Sequence, residues 1–223
     1  DADLNPVKDA LLTEGSSSAY SNIVAVKEGN EQTDKTKALV AALESQQVAD
    51  FIASEYDGAV VSTVENPGDG YDETVDYAAL AGQKITVAAS PTPHAEILES
   101  EAVTAKLAEL GYKLEVVVYE GYVLENPAVA DGTDDANYFQ HKPYLDSYNE
   151  TASESEQLVS AFTVHYEPFA IYSKKVTSLA DLQDGAHIGL PNDPSNETRA
   201  LLLLEAAGLI PVPEGTTAAS ALT

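Results

Sequence analysis

The segment Lys84–Glu120, KITVAASPTPHAEILESEAVTAKLAELGYKLEVVVYE, decides the fold. Lys84 to Ser90 is a short, largely apolar run of strand length. Between Pro93 and Leu110, the residues Ile97, Leu98, Val103, Leu107 and Leu110 recur near the 3.6-residue period of a helix, and Gly111 closes it. Lys113 to Glu120 then returns as a second strand. Strand, helix and strand in succession make a βαβ unit, whose strands run parallel and are joined by a right-handed crossover. The chain is therefore an α/β protein.

Working outward, Asn22 to Lys27 (NIVAVK) predicts another strand, and Asp34 to Tyr56 one long helix with Leu39, Val40, Leu43, Val48, Phe51 and Ile52 on its apolar face. Residues 62–83, rich in Gly, Pro and acidic side chains and without strong periodicity, read as a linker. Toward the other end, Ala186 to Leu190 predicts a short strand. The helix Glu197 to Ala207 follows, capped by Ser195 or Asn196 and ended by Gly208. No internal repeat is present.

Composition narrows the function. The 223 residues carry 11 Lys plus Arg against 37 Asp plus Glu, a formal charge of −26, with 44% hydrophobic residues. That balance suits a folded domain with an acidic surface and repels phosphate backbones and anionic membranes, so no nucleic-acid partner is expected. No apolar run approaches the roughly 20 residues of a spanning helix. The absence of cysteine removes disulfides, thiolate metal sites and a cysteine nucleophile.

Arg199 is the single arginine, placed in the first turn of the predicted helix, where unpaired backbone donors and the helix dipole favour an anion. A guanidinium there can clamp a ligand carboxylate through a fork-to-fork pair. An internal salt bridge to one of the many acids is the equally open reading. The four histidines, His94, His141, His165 and His187, show no metal-ligand spacing, and neither a metal nor a cofactor is expected. Tyr138, Phe139, Tyr144, Tyr148 and Tyr166 gather around His141 and His165, suiting either an apolar ligand pocket or ordinary packing. Asp131 to Asp135 lacks the full calcium-loop spacing and reads as a turn. Nucleophile-elbow, phosphate-loop, dinucleotide and zinc-hydrolase motifs are missing, so no enzymatic mechanism is indicated. His165 acting as a general base beside Arg199, and a non-binding surface module, stand as the alternatives to a receptor.

Several stretches together resemble the substrate-binding lipoproteins of bacterial methionine ABC importers, the MetQ/NlpA family. They are LNPVKDALL (4–12), NIVAVKEGN (22–30), KITVAASPTPHAEIL (84–98), ANYFQHKPYLDSYN (136–149), VHYEPFAIYSKKVTSLADL (164–182) and GLPNDPSNETRALLLLEAAGLI (189–210). The resemblance implies a two-lobed, type 2 periplasmic-binding-protein fold that closes on methionine or a related amino acid and delivers it to an importer permease. It implies an extracytoplasmic, lipid-anchored setting. It also assigns Arg199 to the ligand carboxylate, Asn196 to a polar contact, and Tyr138, His165 and Tyr166 to the side-chain pocket and hinge. The order departs from the family: the segment like residues 4–61 comes last there and first here, so the chain reads as circularly permuted or as part of a tandem repeat. On this reading residues 20–165, with the linker inside, make lobe one, and residues 1–19 with 166–223 make lobe two. Part of lobe two is then missing, leaving it incomplete or finished by a second chain.

Overall fold

A computed structural model describes residues 4–15, 18–218 and 220. Its strands are β1 (Leu12–Thr13), β2 (Asn22–Lys27), β3 (Val61–Ser62), β4 (Lys84–Ala89), β5 (Lys113–Val118), β6 (Ala136–His141), β7 (Leu158–Tyr166) and β8 (Ala170–Ile171). Its helices are α1 (Asp34–Leu43), α2 (Gln46–Glu55), α3 (Tyr77–Leu80), α4 (Glu96–Glu99), α5 (Glu101–Glu109), α6 (Glu125–Ala130), α7 (Lys142–Thr151) and α8 (Pro194–Ala206).

The βαβ expectation holds: β4 pairs in parallel with β5 on one side and with β6 on the other. The full sheet has the order β3-β7-β2-β6-β4-β5, and β2 joins β6 and β7 antiparallel. Strand alternation divides the core. Val24 and Val26 of β2 enter one apolar cluster with Leu39, Leu43, Ile52, Ile85, Val87, Ile97, Leu98 and Leu107, whereas Ile23 and Ala25 enter a second with Val129, Leu145 and Leu158. Gly111, in the left-handed region at φ +90°, ends α5 as expected.

Three sequence expectations change. The long helix over 34–56 is two helices, because the Ser45 side chain accepts a hydrogen bond from the Val48 amide and restarts the helix as an N-cap. The break is filled from the segment read as a linker: the Gln46 amide donates to the Gly68 carbonyl (2.8 Å), and the Gly68 amide to the Glu44 carbonyl (3.0 Å). That segment is accordingly packed, with Val75 buried and Tyr77 and Leu80 against the core. Gly70, at φ +83°, lies so near Lys106 that a Cβ would come within 2.9 Å of its side chain. Third, Ala186–Leu190 is an irregular, exposed segment. Among the described residues no strand pairs with it, and an extended apolar run without a ladder partner has nothing to hold it.

The six-stranded sheet lies wholly between residues 22 and 166. Outside that interval the ordered elements are sparser: β1 and β8 pair antiparallel over two residues each, and α8 buries Ala200, Leu203 and Leu204. Among the described residues no helix is long and apolar enough to cross a membrane.

Candidate functional site: a cleft at the strand ends

Parallel strands in an α/β sheet collect ligands beyond their carboxyl ends, where the chain leaves each strand in a different direction. Here the residues following β4 (Ser90, Pro91), those beyond β5 (Glu120, Gly121, Tyr122) and the end of β6 (Phe139, Gln140, His141) line one wall of a cleft of about 740 Å³. Glu167, Pro168 and Phe169, with Asp193, Asn196 and Arg199 at the start of α8, line the other. The volume lies within the ~300–1,000 Å³ range of small-molecule sites.

An aromatic trio forms the apolar part. Tyr122, Phe139 and Tyr144 have ring centroids 5.8–6.1 Å apart, and the Tyr144 hydroxyl donates to the Tyr122 carbonyl at 2.6 Å. Burial pushes the Tyr144 hydroxyl up to about 12 and also raises that of Tyr122, so both remain neutral hydrogen-bonding groups at physiological pH. His141 bridges the walls: its Nε2–H donates to Asn196 Oδ1 at 2.9 Å while its Nδ1 accepts from the Tyr144 amide. Burial lowers its pKa, which favours this neutral tautomer.

The opening of α8 differs from the sequence expectation. Asp193 is the N-cap, accepting from the Asn196 amide (2.9 Å), and Pro194 occupies the first helical position, where its missing N–H costs nothing. Arg199 therefore stands in the second turn, and a carboxylate of the protein already satisfies the helix start.

Arg199 is also engaged. Its Nε lies 3.0 and 3.2 Å from the two Glu14 carboxylate oxygens, and its Nη2 donates to Glu14 Oε2 (2.5 Å) and to the Glu167 carbonyl (2.9 Å). The guanidinium carbon sits 4.4 Å from the Tyr20 ring centroid and 4.9 Å from that of Phe169. Of the two sequence readings for Arg199, the internal salt bridge is the one present. It does not face away, however: Arg199 remains part of the cleft lining, and among the described residues its Nη1 has no hydrogen-bond partner.

The other expected site residues separate. Asn196 lines the cleft beside Arg199. Tyr138 and His165 have no solvent exposure and hydrogen-bond to each other beneath the wall, and Tyr166 lies behind Arg199, its hydroxyl donating to Glu14 Oε2 and the Gly15 carbonyl. The general-base reading of His165 finds no free nitrogen: Nδ1 is held by Tyr138, Nε2 donates to Glu167 at 2.9 Å, and His165 itself does not line the cleft. Tyr122, Glu120 and Glu167 line the cleft without having been singled out from the sequence, whereas Phe139, His141 and Tyr144, read there as suiting either a pocket or ordinary packing, also line it. Strand alternation over Ala136–His141 carried a usable signal, since it places Tyr138 and His141 on opposite faces.

An α/β sheet with a polar and aromatic cleft at its strand ends fits the periplasmic-binding-protein fold, and solved structures with a similar fold agree. The model of the NlpA lipoprotein family matches residues 1–64 and 85–222, and the chain belongs to that family. The methionine-binding lipoprotein MetQ of Bacillus subtilis is 51% identical over 134 residues, 59% of this chain and 47% of that protein. Among solved structures, a lipoprotein of Ruminococcus gnavus is 48% identical with a TM-score of 0.57, covering 61% of this chain and 55% of that one. A nutrient-binding protein of Burkholderia cenocepacia bound to methionine is 41% identical with a TM-score of 0.54, covering 61% and 54%. The chain spans about half the length of the curated relatives it matches.

Proposed function

We propose that the protein is an extracytoplasmic receptor that captures methionine or a related apolar amino acid in this cleft, without chemistry, and hands it to an ABC importer. The observation that carries the reading is the pairing of opposite features in one cleft: a cation, Arg199, and the acidic residues Glu120 and Glu167 line it together with an aromatic trio. That combination is complementary to a zwitterion with an apolar side chain. Arg199 supplies positive potential and its Nη1 edge to the carboxylate, since Glu14 occupies the Nε–Nη2 side. Asn196 and His141 add polar contacts, and Tyr122, Phe139 and Tyr144 receive the side chain. Tyr138, His165 and Tyr166 support the walls from behind.

Residues 20–165 form lobe one in this proposal, and residues 1–19 with 166–223 belong to lobe two. The exposed Ile188 and Leu190 (41% and 38% accessible) support this reading, in which a further strand from a second chain or another repeat completes lobe two. The matched segments on either side of residues 65–84 fit a permuted or tandem order. The relatives' names support a lipid-anchored setting for the parent protein.

A thermal-shift screen over the amino acids, with mass spectrometry of the recovered solute, tests the function. Methionine at 100 times its dissociation constant stabilises the chain by about 2.7 kcal/mol and returns intact. A solute consumed would mean an enzyme. No shift from any amino acid would mean a non-binding module.

A further inference from the structure

Three side chains, the i, i+2 pair His165 and Glu167 and the distant His94, converge at one wall of the cleft. His165 Nε2 lies 2.9 Å, and His94 Nε2 3.8 Å, from the same oxygen, Glu167 Oε1. One donor atom from each residue falls within 4.8 Å of the others. Asn22 Oδ1 is 2.9 Å from His94 Nε2. Four ligands around an ion with bonds of about 2.0–2.1 Å stand roughly 3.4 Å apart, and the 2.9 and 3.8 Å separations from Glu167 Oε1 fall on either side of that value.

The far side of each ring strengthens the case. His94 Nδ1 is 2.8 Å from the Ser90 hydroxyl, and His165 Nδ1 is bonded to the Tyr138 hydroxyl. Metal-binding histidines are typically fixed in this way, with one nitrogen free for the ion and the other tied to an oxygen. Without an ion, the Nε2–H groups donate to Asn22 and Glu167 while the hydroxyls donate to Nδ1. A hydroxyl can also accept. Each imidazole can therefore move its proton to Nδ1, present a bare Nε2 and stay neutral, with no net proton released.

We propose that His94, His165 and Glu167, with the Asn22 carbonyl oxygen beside them, bind one divalent transition-metal ion of the zinc class at the cleft wall. Two imidazoles, one carboxylate and one amide oxygen suit such an ion better than calcium or magnesium, which take mainly oxygen. Glu167 supplies the carboxylate, its Oε1 approached by the Nε2 atoms of both histidines. The opposing charge is Arg199, whose Nη2 holds the backbone carbonyl of the same residue.

The test is calorimetric titration of zinc chloride into the chelator-treated chain, without amino acid, at a salt concentration that screens the acidic surface. One equivalent binds to wild type. Glu167→Gln, which keeps an oxygen to accept from His165, weakens it at least ~10-fold; Tyr138→Phe, which removes only a supporting hydroxyl, weakens it by about 10-fold. The exposed His187→Ala leaves it unchanged. Substituted cobalt(II) gives the intense visible bands of a tetrahedral site in wild type and loses them in Glu167→Gln. Equal uptake by wild type and Glu167→Gln, or no uptake by wild type, overturns the proposal and leaves the amino-acid reading standing.

Discussion

The region between residues 20 and 166 and the region that carries β1, β8 and α8 are held by different forces. The first closes six strands over apolar clusters on both faces, with Val24, Ala38, Val87 and Ile97 wholly buried. The second has a two-residue ladder, apolar side chains in solvent, and one dense polar node in which Arg199, Glu14, Tyr166 and the Glu167 carbonyl satisfy one another among Tyr20 and Phe169. Area burial tolerates small losses, since many contacts share the load. A buried ion pair does not: removing one partner strands the other in a poorly solvated place.

The sharpest way to break the comparison is therefore Glu14→Gln, which leaves the guanidinium uncompensated. By hydrogen exchange, the opening free energy of the α8 amides falls by about 3–5 kcal/mol while the six-stranded sheet keeps its protection. Replacing Arg199 by Met as well recovers much of the loss; strict additivity would deny the coupling. In the sheet region Leu43→Ala costs about 2–5 kcal/mol in urea unfolding, because Leu43 is fully buried between α1 and the sheet. It lowers protection of the sheet amides.

How far these regions were legible in the sequence follows the same division. The βαβ unit was readable because helical and strand periods are local properties of Lys84–Glu120. The split at Ser45 was not, because the break is filled by Gly68, which lies far along the chain. The expected strand over Ala186–Leu190 failed for a related reason: a pattern says how a segment would sit in a sheet, not whether a neighbour is there. At the site, Arg199 could be singled out as the lone arginine, and Asn196 through the family resemblance. Its Glu14 partner and the convergence of Tyr122, Phe139 and Tyr144 depend on tertiary approach. The His94–His165–Glu167 cluster has no linear motif at all.

His94 sharpens the comparison at the boundary. Burial, followed by the nearby His165, pushes its pKa down to about 3. A histidine that is harder to protonate folded than unfolded contributes stability that is intact above its unfolded value near 6.5. That stability is lost as pH falls toward 3, at roughly 1.4 kcal/mol per pH unit. Unfolding midpoints between pH 7 and 4 should show that slope, and His94→Asn should flatten it; an unchanged slope would place the acid sensitivity elsewhere. The smallest effect is expected at the exposed end: Ile188→Thr changes the stability of the chain by less than about 0.5 kcal/mol. A larger loss in differential scanning calorimetry would mean that this segment is packed in solution.

Calorimetric titration of L-methionine into the wild-type chain and its Arg199→Lys variant tests the receptor reading most directly. Micromolar binding by wild type, weakened at least ~10-fold when an ammonium replaces the guanidinium, is the predicted result. Equal affinity in the two proteins, or no binding by either, would contradict it.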